Sequence, residues 1–178
     1  MGRMDQDVMS LSFLTFDPLS LFAPGDLANI IGRSYAELVE KWPEPWERER
    51  RKWLDFDRQA FARPDTVGKC VFVSRLDGEP VGLASYDPRP GPLYGVIGQN
   101  CVLPEYRGRG FGKRQILEVL RRLEAGGMRT ARVTTSEHPF FLPALGLYRS
   151  LGFRETRRLA GGRDPRHRLV ELERGPES

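Results

Sequence analysis

The chain has 178 residues, enough for one ordinary globular domain with a core that needs no disulfide or metal staple. Hydrophobic residues make up 39% and charged residues 29%, which excludes a disordered or fibrous chain. No run approaches the ~20 apolar residues of a membrane span, so no membrane partner is expected. The net charge of +4 is spread in alternating patterns such as Glu47-Arg48-Glu49-Arg50, the mark of a solvated helix face, and no nucleic-acid partner is expected.

Met1 to Ser10 carries acids and lacks the basic start and apolar stretch of a secretory signal. Cys70 and Cys101 sit in apolar runs that read as strands, a setting for thiols in a reducing compartment. Cytoplasm is therefore expected. With only His138 and His167 besides, no metal site is expected.

In chain order, Pro24-Gly25-Asp26 opens a helix in which Leu27, Ile30, Ile31 and Leu38 recur at helical spacing. Pro45 opens a second, with Trp46, Trp53, Phe56 and Ala60 near one side. Large aromatics so spaced read as core, leaving one tryptophan as a candidate acceptor wall. Strands follow: Cys70 to Val73, a turn at Asp77-Gly78, then Pro80 to Tyr86, and after Arg89-Pro90-Gly91-Pro92 a third over Tyr94 to Leu103. The clearest helix carries Ile116, Val119, Leu120 and Leu123 on one face and ends at Gly126-Gly127. Thr130 to Thr135 is β-branched, so strand, glycine loop, helix and strand make a crossover unit. A helix over Pro143 to Leu151 precedes two strands, Arg154–Leu159 and His167–Leu172, around a Gly161-Gly162 turn, and Ser178 closes a short polar tail. The order predicts a mixed α/β fold with helices on both faces of its sheet.

The informative stretch is Val102-Leu103-Pro104-Glu105-Tyr106-Arg107-Gly108-Arg109-Gly110-Phe111-Gly112-Lys113. Glycines between a strand and a helix let the backbone approach a ligand closely, and the unpaired amides of the first helical turn favour an anion. Arg109 and Lys113 add charge suited to a polyphosphate. A dinucleotide fingerprint fails because Lys113 stands where its third glycine belongs. A P-loop fails at both ends, where Arg107 and Arg114 stand. A turn that merely packs a helix on a sheet is the plainer reading of the loop alone.

Arg107-x-x-Gly110-x-Gly112 resembles the pyrophosphate-binding signature of the GNAT superfamily of acyl-CoA-dependent N-acetyltransferases. Ala144-Leu145-Gly146-Leu147-Tyr148-Arg149-Ser150-Leu151-Gly152-Phe153 resembles that family's later helix, in order and at a suitable spacing. The resemblance implies a twisted, mostly antiparallel mixed sheet of about six or seven strands, in a single domain over residues 1–178. Residues 1–65 would be an N-terminal helical part and 70–174 a cofactor-binding core.

It further implies acetyl-CoA as co-substrate, bound at the signature's Arg107 and by backbone amides of Gly108, Arg109, Gly110, Phe111, Gly112 and Lys113 on the pyrophosphate. Asn100, Cys101 and Val102 would hold the pantetheine arm in a gap between splayed strands. Tyr148 matches the tyrosine that protonates the departing thiolate; the bland alternative is a core aromatic. Where many members have an asparagine seven residues earlier, this sequence has Phe141. Either Thr135, Ser136 or His138 replaces that contact, or the arm packs on the ring.

The implied reaction is direct attack by a primary amine on the thioester, which needs a base. His138 has the right intrinsic pKa, Glu137 and Glu105 are further candidates, and Asn100 could polarise a carbonyl or position a water. The acceptor could be a small metabolite, a drug amine, or a protein N-terminus or lysine. The resemblance also allows a homodimer. The competing reading is an acyl-CoA sensor of the same fold without turnover.

Overall fold

The computed structural model describes residues 13–161 and 164–176. Met1 to Ser10, Gly162 of the last turn and Ser178 of the tail lie outside the described residues. The chain runs β1 (Leu14–Pro18), α1 (Asp26–Ser34), α2 (Ala36–Lys41), α3 (Pro43–Ala62), β2 (Val71–Leu76), β3 (Glu79–Asp87) and β4 (Gly95–Val102). It continues with α4 (Phe111–Ala125), β5 (Ala131–Ser136), α5 (Leu142–Ser150), β6 (Arg154–Leu159) and β7 (Leu169–Arg174). These make one seven-stranded sheet in the order β1-β2-β3-β4-β5-β7-β6, antiparallel except where β4 meets β5. The mixed α/β expectation stands.

Alternation along the strands divides the core into two layers. Val71, Val73 and Leu83 pack with Leu27, Ile31, Trp46 and Trp53 of α1 and α3. Phe72 and Ala84, one residue along, pack with Ile116, Val119 and Leu123 of α4 and with Leu145 and Tyr148 of α5. Helices therefore cover both faces. Trp46 and Trp53 are core, as their spacing suggests, while Trp42 is half-buried.

Two elements differ from the sequence reading. Strand β1 precedes the helices and pairs antiparallel with β2, from Leu14 opposite Leu76 to Pro18 opposite Phe72. The first helix is broken at Tyr35, whose backbone (φ −114°, ψ 13°) turns the chain between α1 and α2. The break frees the Tyr35 ring to meet Trp53 at 5.5 Å and Phe140 at 6.0 Å.

Candidate active site

The glycine loop lies between β4 and α4. Gly108 and Gly110 adopt φ of 72° and 80°, where a side chain is strained. Space around both is open, so the backbone conformation and not crowding requires glycine there. Gly110 caps α4, and the amide of Arg114 closes the first turn on the Gly110 carbonyl at 3.1 Å. The amides ahead of it have no intrahelical carbonyl to bond, which makes this helix end receptive to an anion. Lys113 is exposed on that turn, and Arg109 lies over the rings of Tyr106 (5.7 Å) and Phe111 (5.2 Å).

Beside the loop the sheet opens. Strands β4 and β5 pair only at Gly95↔Ala131 and Val96↔Arg132, and past Val96 they part although both continue. Toward β3, the register of β4 shifts between the Ala84 and Tyr86 pairs. A cleft of about 520 Å³ occupies this region. It is lined by Asn100, Cys101 and Val102 from β4, by Arg107, Gly108, Gly110, Phe111, Gly112 and Lys113 from the loop and helix start, and by Phe140, Phe141, Ala144 and Leu147 from the α5 side. Ser34, Tyr35 and Glu37 complete it across the sheet.

The Arg107 side chain serves the wall of this cleft. Its guanidinium donates to the Ser34 carbonyl at the end of α1 and to Val102 O at 3.3 Å, and it lies 5.0 Å over Phe140. A cation at the carbonyl end of α1 also suits the helix dipole. Phe141 faces the cleft with Phe140 as its neighbour at 5.1 Å. Ser136 Oγ is engaged by the His138 amide at 3.1 Å.

Tyr148 is only 4% exposed, packed edge-on to Phe153 at 5.5 Å. It does not line the cleft, whereas Asn100 does. Burial pushes the phenol up to about 12, with the Asn100 side chain pulling the other way. Asn100 Oδ1 in turn accepts from Gln115 Nε2 at 2.7 Å. Gln115 is fully buried on α4, and its periodicity in sequence gave no hint of a role at the site.

His138 lies elsewhere than the cleft lining. It is 2% exposed, with Trp42 4.8 Å away on one side and His167 4.8 Å away on another. Its Nδ1 accepts from the Phe140 amide at 3.2 Å, which spends one of its nitrogens on capping. Desolvation, then the neighbouring His167, holds its pKa below the usual histidine value, so the ring is neutral at pH 7. The two acidic base candidates are tied to arginines: Glu105 accepts from Arg33 at 2.8 Å, and Glu137 accepts from Arg158.

Among the described residues, His138, Asp164 and His167 form the group nearest to a metal-binding set, their ligand atoms all within 4.8 Å of one another. Tetrahedral zinc with bonds of ~2.0–2.1 Å brings neighbouring ligands to roughly 3.4 Å. Asp164 is gripped in a two-pronged contact by Arg166, at 2.6 Å from Oδ2 and 2.9 Å from Oδ1. That leaves its carboxylate engaged with a cation already. Beside this trio a groove of about 720 Å³ is lined by Trp42, Glu49, Asp164 and Arg166 among others.

The acetyltransferase (GNAT) family model matches residues 27–153. A GNAT-family protein from Desulfovibrio desulfuricans superposes with a TM-score of 0.70 at 16% identity, covering 92% of this chain and 98% of its own. Ard1 from Thermoplasma volcanium gives a TM-score of 0.67 at 17% identity, covering 94% and 99%. A Bacillus anthracis protein in complex with acetyl coenzyme A gives 0.52 at 17% identity, covering 59% and 61%. No curated protein matches the chain. At these identities the solved structures speak for the fold, and the family model speaks for membership.

Proposed function

This chain belongs to the acetyltransferase (GNAT) family, and from that premise we propose that it transfers an acetyl group from acetyl-CoA to a primary amine by direct attack. The observation that carries the proposal is the glycine loop at the start of α4 opening onto the cleft where β4 and β5 part. Amides of residues 108 to 113 would hold the pyrophosphate, aided by the charges of Arg109 and Lys113. Asn100, Cys101 and Val102 would offer backbone groups to the pantetheine arm. The rings of Phe140 and Phe141 line the same cleft, which supports the arm packing on aromatic surface at the position where many relatives carry asparagine.

Acetyl-CoA supplies an acyl thioester whose C–S bond breaks as the N–C bond forms, the nitrogen losing one proton and the sulfur gaining one. Tyr148 is the candidate acid. A phenol near 12 is a weak donor toward a thiolate of ordinary pKa ~8.5, and full transfer runs uphill by roughly 5 kcal/mol. In this setting its contribution is chiefly a hydrogen bond to charge developing on sulfur. Of the three base candidates, Glu105 and Glu137 are engaged by arginines. His138 is neutral and could accept through Nε2, but it does not line the cleft, so an ordered water path is the reading we favour. Trp42, half-buried and lining a separate groove, remains the candidate for an acceptor wall. Two buried free thiols, Cys70 and Cys101, suit a reducing compartment such as the cytoplasm.

The test is thiol release from acetyl-CoA in the presence of a panel of amines, including small amines and peptides with free N-termini. Amine-dependent release that disappears in Gly110→Glu supports the proposal. Tight acetyl-CoA binding without release from any amine would make the domain a sensor.

A further inference from the structure

The break of α1 at Tyr35 leaves a carbonyl over. In an unbroken helix the Leu38 amide would bond the Ser34 carbonyl, four residues back; here it bonds the Tyr35 carbonyl at 3.0 Å. Ser34 O receives its donor instead from Nη2 of Arg107, on the far side of the cleft. The same guanidinium reaches from Nε to Val102 O at the end of β4, at 3.3 Å, and lies 5.0 Å over the Phe140 ring. Phe140 in turn packs on Tyr35 at 6.0 Å and on Phe141 at 5.1 Å. One side chain thus joins the end of α1, the end of β4 and the 139–141 turn, and Ser34, Val102 and Phe140 all line the cleft. A second tie runs alongside, where Arg33 of α1 bridges to Glu105 at 2.8 Å.

The three contacts demand an arginine. Two carbonyls lie in different directions and a ring lies against the face of the group. A planar fork with five donors meets all three, whereas the ammonium of lysine is a point charge on a flexible stem. The guanidinium is thereby committed to groups of the protein itself. Charge for a polyphosphate remains in Arg109 and Lys113, both exposed beside the free amides that open α4.

We propose that Arg107 is a positioning residue: its guanidinium clasps the wall carrying Ser34, Tyr35 and Glu37 to β4 and to Phe140, and so sets the geometry of the cleft instead of holding the pyrophosphate by its charge. The proposal rests on the reading of the cleft as the acyl-CoA site, although the clasp itself is measurable without turnover.

The experiment compares the full chain with Arg107→Lys, which keeps the charge, and Arg107→Gln, which removes it. Thiol release is followed with the fastest-reacting amine of the panel as probe, and acetyl-CoA binding by calorimetry at low and high salt. In both variants alike kcat/KM for the amine should fall about tenfold, as misplaced reacting groups require. The dissociation constant for acetyl-CoA should change less than about threefold and keep the wild-type dependence on salt. Loss of folded protein would lower binding and turnover together, so the split between them marks positioning. Phe140→Leu, which removes only the ring beneath the guanidinium, should act in the same direction and add little to Arg107→Lys. Hydrogen exchange by mass spectrometry should quicken over residues 36–39 and 140–142 in both arginine variants and stay at the wild-type rate over α4. Full activity in Arg107→Lys, a shallower salt dependence in Arg107→Gln, or unchanged exchange in those two segments overturns the proposal. Failure of the wild type to bind acetyl-CoA, or of every amine to react, would count against the proposed function instead, and exchange alone then decides the clasp.

Discussion

At Gly110 a single Cα hydrogen separates a binding loop from a blocked one. The residue is left-handed but open to solvent, so Gly110→Glu meets no neighbour and costs only local backbone strain of about 1–2 kcal/mol, which the fold should survive. The added carboxylate would stand at the start of α4, where the proposed pyrophosphate belongs. We expect the dissociation constant for acetyl-CoA to rise by at least ~100-fold, on the order of 2.7 kcal/mol, measured beside an unchanged circular dichroism spectrum. For Tyr148→Phe the expectation is a fall in kcat of roughly 10- to 100-fold with KM for acetyl-CoA little changed, as loss of a donor that acts only on developing charge requires. The loop was legible in sequence because glycines report backbone needs directly. The Gln115–Asn100 contact was not, because it joins residues 15 positions apart whose types are unremarkable where they stand. Arg107 was legible as part of a signature, yet the contacts of its guanidinium with Ser34 and Phe140 depend on a fold the motif does not describe.

Among the elements, β6 has the bounds expected between Gly152-Phe153 and the Gly161-Gly162 turn, and α4 follows its apolar stripe closely. Strand β1 escaped notice because Leu14-Thr15-Phe16 is too short to show a period, and its strand state is set by pairing with β2. The break at Tyr35 carries no glycine or proline, and the apolar repeat from Leu27 to Leu38 runs straight through it. Only the aromatic cluster that receives the Tyr35 ring accounts for the turn. The parting of β4 and β5 was carried by resemblance alone, since both strands read as continuous. Trp53 lies at the centre of the α1–α3 layer at 4% exposure. Trp53→Ala should therefore cost about 3–5 kcal/mol in denaturant unfolding. Trp42, half-buried at the groove, should cost distinctly less when truncated. Equal losses at the two positions would contradict the assignment of one to the core and the other to the groove wall.

For the molecule as a whole, buried His138 contributes to the acid side of its stability. His138 is surrounded by Trp42, Trp46, Phe141, His167, Asp164 and Arg166, and its folded pKa lies below the usual value. Below about pH 6.5 the unfolded chain therefore binds a proton that folded His138 refuses. Stability should decline as pH falls from 6.5 until the folded pKa is passed. Glu118, lowered to about 2 chiefly by its hydrogen bond from Arg121, loses its contribution only below the ordinary carboxylate range. The melting temperature should thus fall between pH 7 and 5, and His138→Asn, which keeps an acceptor for the Phe140 amide, should flatten that slope. An unchanged slope in the variant would place the acid sensitivity elsewhere.

The central claim is that the glycine loop and the cleft beside it form an acyl-CoA site. Calorimetric titration of the folded protein with acetyl-CoA tests it most directly, with CoA lacking the 3′-phosphate for comparison and Gly110→Glu as the control. The account predicts one-site binding by the wild type that is lost in the variant. Absence of binding by a folded wild-type protein, or equal binding by Gly110→Glu, would contradict it.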